Sequence, residues 1–365
     1  MTPTTRSNAN GNTKFPAICS ADIDRKTLKS FLSHTHQQVA LVAKSDLSEL
    51  ITDDSDDTSL SSIEVIEKKL PEWNQTIPKF MDSIAQKPGI NAKAFVILDT
   101  TTAQDKSTCF VATDAREDKY GAWPYLGFRC DLSSLVPALE ALDHASVRDL
   151  RNQAAISSGA WRKEVLDASK KEPSRIKPSD YPIHQGWSTE LVPANNDTSK
   201  PYFPVFRTAD VPLEVLNAFL KAAYDQNWGP SDIPDPRVSF ITSLSPPYGQ
   251  GPAEAPLKSV PEVPKALLHA SPDDCDAIAR SCFPTSDGEI PELNYQRFII
   301  MDKFTEREKT VIIATNNEND GQLLLTRCDF KGAVICLISP GATGLAMDLQ
   351  IHGAADRGDG VVHGP

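Results

Sequence analysis

The chain has 365 residues, 40% hydrophobic and 24% charged, the balance of an ordinary globular protein with room for more than one core. Its net charge of −12 argues against nucleic acid as a partner, because phosphate backbones are held by clustered Lys and Arg. Seven cysteines without a CxxC pair signal neither a disulfide framework nor a zinc site, and the longest apolar stretch (332–347) is broken by Ser339-Pro340-Gly341, so no membrane span is expected.

Residues 1–12 are polar, carry no apolar signal-peptide core, and are expected to be disordered. Apolar runs then follow at 15–21, 39–44, 94–98 and 108–113. Their unbroken rather than alternating character predicts strands buried on both faces of an α/β sheet. Between the first two, Leu28, Phe31 and Leu32 form a helical stripe that Asp22 or Asp24 is placed to cap. Residues 62–86 carry a second helical pattern, interrupted at Pro71 and Pro78. The polar connection 99–106 is too short for a crossover helix, so the third and fourth strands should pair antiparallel. A fifth strand near 125–132 and helices near 135–142 and 145–166 complete this set.

Much the same series then recurs. FPAICSADIDRKTLKSFL (15–32) aligns without gaps on FPVFRTADVPLEVLNAFL (203–220), with seven of eighteen positions identical. Later blocks match in the same order: 39–42 with 238–241, 82–85 with 276–279, 95–99 with 298–302, and Arg129-Cys130-Asp131 with Arg327-Cys328-Asp329. Colinear matches at so long a period imply two tandem copies of one domain and not a solenoid. The expected fold class is α/β (or α+β), each copy a mixed sheet with helices packed around it. Expected boundaries are 13–170 for the first copy, 171–200 for a linker, 201–352 for the second copy with a proline-rich insertion at 229–265, and 353–365 for a flexible tail.

The candidate site residues are the polar members of the repeated blocks. Asp22, Asp99, Asp210 and Asp302 each follow an apolar strand, and ligand sites of α/β sheets gather at the carboxyl ends of strands. Convergent carboxylates there could bind a cation or move protons, although Asp is also a common helix cap and turn former. Arg129 and Arg327 lie two residues from an Asp on a strand, so each Arg/Asp set shares a face as an ion pair or anion site. Cys130 and Cys328 should point into the core. Of the two copies, the first is expected to keep its strand ends more open, since the proline-rich insertion could roof over the second.

Other motifs carry less. The acidic run 53–57 lacks the glycine and distal Glu of a calcium loop, and His34 and His36 lack a third metal ligand. Gly341-Ala-Thr-Gly344 is neither a P-loop nor a dinucleotide fingerprint, and Arg357-Gly358-Asp359 sits in a glycine-rich tail. No metal and no cofactor is expected.

Phe206-Arg207-Thr208-Ala209-Asp210, followed by Leu213, Leu216 and Phe219, resembles the opening of an uncharacterised small α/β domain family of bacteria and fungi. Residues 298–302 and 310–315 are similar to its later strand pair. Copy one departs from it, with Cys19-Ser20 where copy two has Arg207-Thr208. The resemblance implies a small α/β domain and brings no activity with it. The functional expectation is a soluble, cytoplasmic binding or interaction module for a protein or small molecule, with no nucleic acid or membrane partner. The alternative is an enzyme of a specialised pathway using strand-end carboxylates.

Overall fold

The computed structural model describes residues 13–35, 38–43, 50–51, 60, 63, 65, 79–80, 82–83, 86–87, 89–114, 125–169, 176, 202–224, 238–245, 248–249, 253, 255–282, 293–294, 296–316, 323–338 and 360–364. The N-terminal segment, the acidic run, most of the 62–86 helical pattern, the 171–200 linker except Ile176, and the 341–344 and 357–359 motifs lie outside them.

The chain is α/β with two mixed six-stranded sheets and divides into two compact units. In the first, β1 (Phe15–Cys19) leads to α1 (Arg25–His34), then β2 (Val39–Val42) and the short β3 (Leu50–Ile51). After β4 (Ala94–Leu98) come a brief α2 (Thr100–Asp105), β5 (Thr108–Asp114) and β6 (Tyr125–Asp131). Helices α3 (Leu135–Ala141), α4 (Val147–Ile156) and α5 (Lys163–Ser169) follow. The single helix expected over 145–166 is thus two, parted where Ser158 (φ 71°) and Gly159 (φ 87°) take left-handed backbone that helix cannot continue through. The strand order is β3-β2-β1-β4-β5-β6.

The second unit runs β7 (Phe203–Arg207), α6 (Leu213–Tyr224), β8 (Val238–Phe240), α7 (Pro272–Cys282), β9 (Arg297–Met301), α8 (Thr305–Glu308), β10 (Thr310–Asn316), β11 (Leu323–Asp329), α9 (Phe330–Ile338) and β12 (Val361–Val362). Its strand order is β12-β11-β10-β9-β7-β8.

Five strands of each sheet share order, direction and register. Phe15 pairs with Val39 as Phe203 pairs with Val238, both parallel. Cys19 pairs with Leu98 as Arg207 pairs with Met301, again parallel. Phe95 opposes Ala112 as Phe298 opposes Ala314, antiparallel, and Arg129 opposes Phe110 as Arg327 opposes Ile312. The 99–106 connection holds a short helix and still returns an antiparallel strand, as its length demands.

Burial explains the unbroken apolar strands. On one face of the second sheet Val205, Phe240, Ile299, Met301 and Val311 pack with Leu216 and Phe219 of α6 and Ala333 of α9. On the other, Phe206, Phe298, Ile300 and Ile312 pack with Cys275 and Ile278 of α7. Both faces are covered, so both alternating sets of side chains must be apolar.

Two observations bear on the expected boundaries. The compact units are Met1–Ala154 with Ala160–Lys163 and Ala355–Asp359, and Ala155–Gly159 with Glu164–Ala354 and Gly360–Pro365. Ala155, inside the expected first copy, and Ile176, inside the expected linker, belong to the apolar cluster of the second sheet. The chain's end is no flexible tail over 360–364: Val361 and Val362 are buried, and β12 pairs parallel with β11.

Candidate functional site

Asp99 is placed by β4, whose five buried residues fix the backbone just before it. Its side chain caps α2: Oδ1 accepts from the Thr102 amide at 3.0 Å, while Thr102 Oγ1 accepts from the Asp99 amide at 3.1 Å. Asp302 behaves alike at the end of β9, where Oδ1 accepts from the Phe304 amide at 3.1 Å and Thr305 Oγ1 accepts from the Asp302 amide at 3.0 Å. These are the reciprocal bonds of an N-cap and a tight turn.

The arginines of the two matching blocks complete the arrangement. Arg129 Nη1 donates to Asp99 Oδ2 at 2.9 Å and Nη2 to Oδ1 at 2.8 Å, a bidentate pair with the arginine fully buried. Arg327 makes the same two-point contact with Asp302, through Nη1 to Oδ1 at 3.3 Å and through Nη2 to Oδ2. Its Nη1 also donates to Thr310 Oγ1 at 2.9 Å and its Nε to the Ala155 carbonyl at 2.7 Å. Strand pairing explains the match. Ile97, Phe110 and Arg129 stand side by side on one face, and Asp99 follows Ile97 by two residues. Ile300, Ile312, Arg327 and Asp302 repeat that geometry.

The expected pairing within each Arg-Cys-Asp triplet does not form. Asp131 is the last residue of its strand and turns to accept from Ser133 N at 3.0 Å, with Arg162 Nε 3.6 Å away. Asp329 accepts from Gly364 N at 3.0 Å and pairs with His363 Nδ1 at 3.0 Å. These positions correspond: Trp161 bridges to Cys130 in parallel, as Val362 does to Cys328, and the next residue in each case, Arg162 or His363, sets a side-chain nitrogen against the Asp.

Asp22 and Asp210 are exposed and join neither carboxylate. Asp24, not Asp22, caps α1, accepting from Thr27 N at 2.9 Å. Its carboxyl is held down to about 2, first by the hydrogen bond from Lys106 and then by the Thr27 amide. In the left-handed position after α2 and α8 stand Lys106 (φ 57°) and Lys309 (φ 55°). Sequence reading passed over this: Asp99-x-x-Thr102-x-x-x-Lys106 recurs as Asp302-x-x-Thr305-x-x-x-Lys309, and that spacing was the available signal.

Cys130 and Cys328 are buried, and burial pushes both thiols well above their ordinary range. Cys19 is likewise pushed up to about 12, by burial first and by Asp22 second. Since the thiolate is the reactive form, native protein treated with iodoacetamide at neutral pH should be labelled at the half-buried Cys282 before Cys130 or Cys328. Labelling of Cys130 or Cys328 at a comparable rate would contradict this placement.

Arg207 is the residue that sequence reading undervalued. It ends β7, is buried to 1% exposure, and sits where the first unit has Cys19. Its Nη2 donates to the Pro261 carbonyl, and its Cζ lies 5.8 Å from the centre of the Phe240 ring. Nε and Nη1 have no hydrogen-bond partner among the described residues. No cluster of three or more potential metal ligands occurs among those residues, and none of their helices is long and apolar enough to cross a membrane. No family model, no curated protein and no solved structure matches the chain.

Proposed function

We propose that the chain is a binding or interaction module, built by tandem duplication of one small α/β domain and working in the cytoplasm, rather than a catalyst using its strand-end carboxylates. The observation that carries this is the state of Asp99 and Asp302. Each is held by a fully buried arginine through two hydrogen bonds and by the turn it caps. A general acid or base must reach its substrate through a carboxylate oxygen, and both oxygens of each of these carboxylates are already engaged by the arginine. Shared register over five strands, the common Asp-x-x-Thr-x-x-x-Lys turn, and the matching edge bridges all favour duplication. Seven free thiols accord with a reducing compartment. The family resemblance at 206–219 fits such a domain and adds no activity.

A mixture of common metabolites incubated with the protein, followed by ligand-observed NMR, tests this. Binding signals from compounds that remain chemically unchanged are expected. Turnover of any compound that Asp99→Asn or Asp302→Asn suppresses, in a variant still folded by circular dichroism, would contradict it.

A further inference from the structure

Among the described residues three arginines are at most 1% exposed: Arg129, Arg207 and Arg327. Arg129 and Arg327 each receive a carboxylate from the end of the strand two away in the same sheet. Arg207 receives none: its one hydrogen bond goes to the neutral Pro261 carbonyl, and two of its three nitrogens have no partner among the described residues. A buried guanidinium left without a counter-charge is costly, and a scaffold retains one where something else supplies the anion. Among the described residues the candidate carboxylates are otherwise placed. Asp302 lies on the opposite face of the sheet, engaged with Arg327. Asp210, three residues on, is exposed and makes no ion pair with Arg207. Its field only opposes the fall in the Arg207 pKa that burial causes.

Location and surroundings point the same way. Arg207 is the last residue of β7, a strand flanked by parallel neighbours on both sides, and ligands of such sheets bind beyond the carboxyl ends of the strands. Phe240 gives the guanidinium an apolar ring to lie against. Over it runs the 255–264 stretch, held to α6 where Asn217 Oδ1 accepts from Leu257 N at 2.7 Å and Asn217 Nδ2 donates to the Leu257 carbonyl at 3.3 Å. Most residues of that stretch are exposed or half-buried, so few core contacts hold it down. In the first unit the same place in the sheet is Cys19, which carries no charge to be balanced. The buried arginine without a carboxylate is thus in the second unit.

We propose that Arg207 binds the carboxylate of a small organic acid, which takes the place beside Arg207 that Asp99 takes beside Arg129 and Asp302 beside Arg327. A carboxylate is chosen over phosphate because a single guanidinium balances one negative charge, and the nearby Asp210 disfavours a second. This deepens the binding-module proposal and depends on it.

The test is a titration of the full chain, followed by the Arg Nε–H NMR signals, with acetate, succinate and benzoate at constant ionic strength and inorganic phosphate as the competing anion. At least one carboxylate should move a single Arg Nε signal saturably, and Arg207→Met should remove that signal and weaken binding by about tenfold or more. Arg207→Lys, which keeps the charge and loses the planar fork, should bind measurably but less tightly. Absence of any saturable shift with all three acids overturns the proposal on the wild-type protein alone, whether or not the variants fold. Preference for phosphate overturns the ligand class. Carboxylate binding unchanged in Arg207→Met overturns this site while leaving the binding module standing, whereas chemical conversion of a probe overturns the module itself.

Discussion

Deleting the last six residues, 360–365, should destabilise the second unit by several kcal/mol, far more than loss of a terminal tail ordinarily does. Val361 and Val362 are buried at 9% and 4% exposure, and full burial of such a side chain contributes about 1.5–3 kcal/mol. The deletion also strips Asp329 of His363 and of the Gly364 amide, and exposes the outer edge of β11 to other chains. Gly332 lies so close beneath this strand that a Cβ on it would stand 2.2 Å from the Val362 carbonyl, so the segment is packed as well as paired. Urea denaturation of the truncated and full-length proteins measures the difference. Equal midpoints, or a truncated protein that stays monomeric and equally stable, would show that the end of the chain does not serve as a strand.

Removing one carboxylate from its arginine should have an effect of similar size. In Asp302→Ala, Arg327 keeps its Thr310 and Ala155 bonds and loses the counter-charge that Asp302 supplies, while remaining buried. Breaking a buried pair from one side costs about 3–5 kcal/mol, because the remaining charge is left uncompensated. The turn before α8 also loses the hydrogen bond from the Phe304 amide to Asp302 Oδ1. Replacing both partners, as in Asp302→Asn with Arg327→Met, should recover much of the loss, since no charge is then stranded in the core. Calorimetric unfolding of the three proteins orders them: wild type, double variant, single variant. A single variant as stable as wild type would mean that the pair does not hold the fold.

The strands of the second sheet were legible because both its faces are covered, which forces runs such as Phe298-Ile-Ile-Met301 and Val311-Ile-Ile-Ala314 to be apolar throughout. The antiparallel return after Asp99 was legible from chain length alone. The site was only half legible. Sequence identified Asp99, Asp302, Arg129 and Arg327 as the repeated polar set, but paired each arginine with the Asp two residues along its own strand. Its real partner lies two strands away, and cross-sheet distance is invisible without the register. Arg207 was passed over because it has no repeat: Cys19 stands in its place, so a search for shared residues looked past the one that differs. The edge strands were illegible for another reason. Trp161 and Val362 arrive after helices, and the bridges they make are two residues long or less, too short for any periodicity to show.

The central claim is that Asp99 and Asp302 are structural partners of buried arginines, equivalent in both units. Double-mutant cycles on Asp99/Arg129 and Asp302/Arg327, read by denaturant unfolding, test it most directly. The account predicts strong favourable coupling in both cycles, on the order of 2–3 kcal/mol or more and of similar size. Coupling near zero in either cycle, or a large value in one and none in the other, would contradict it.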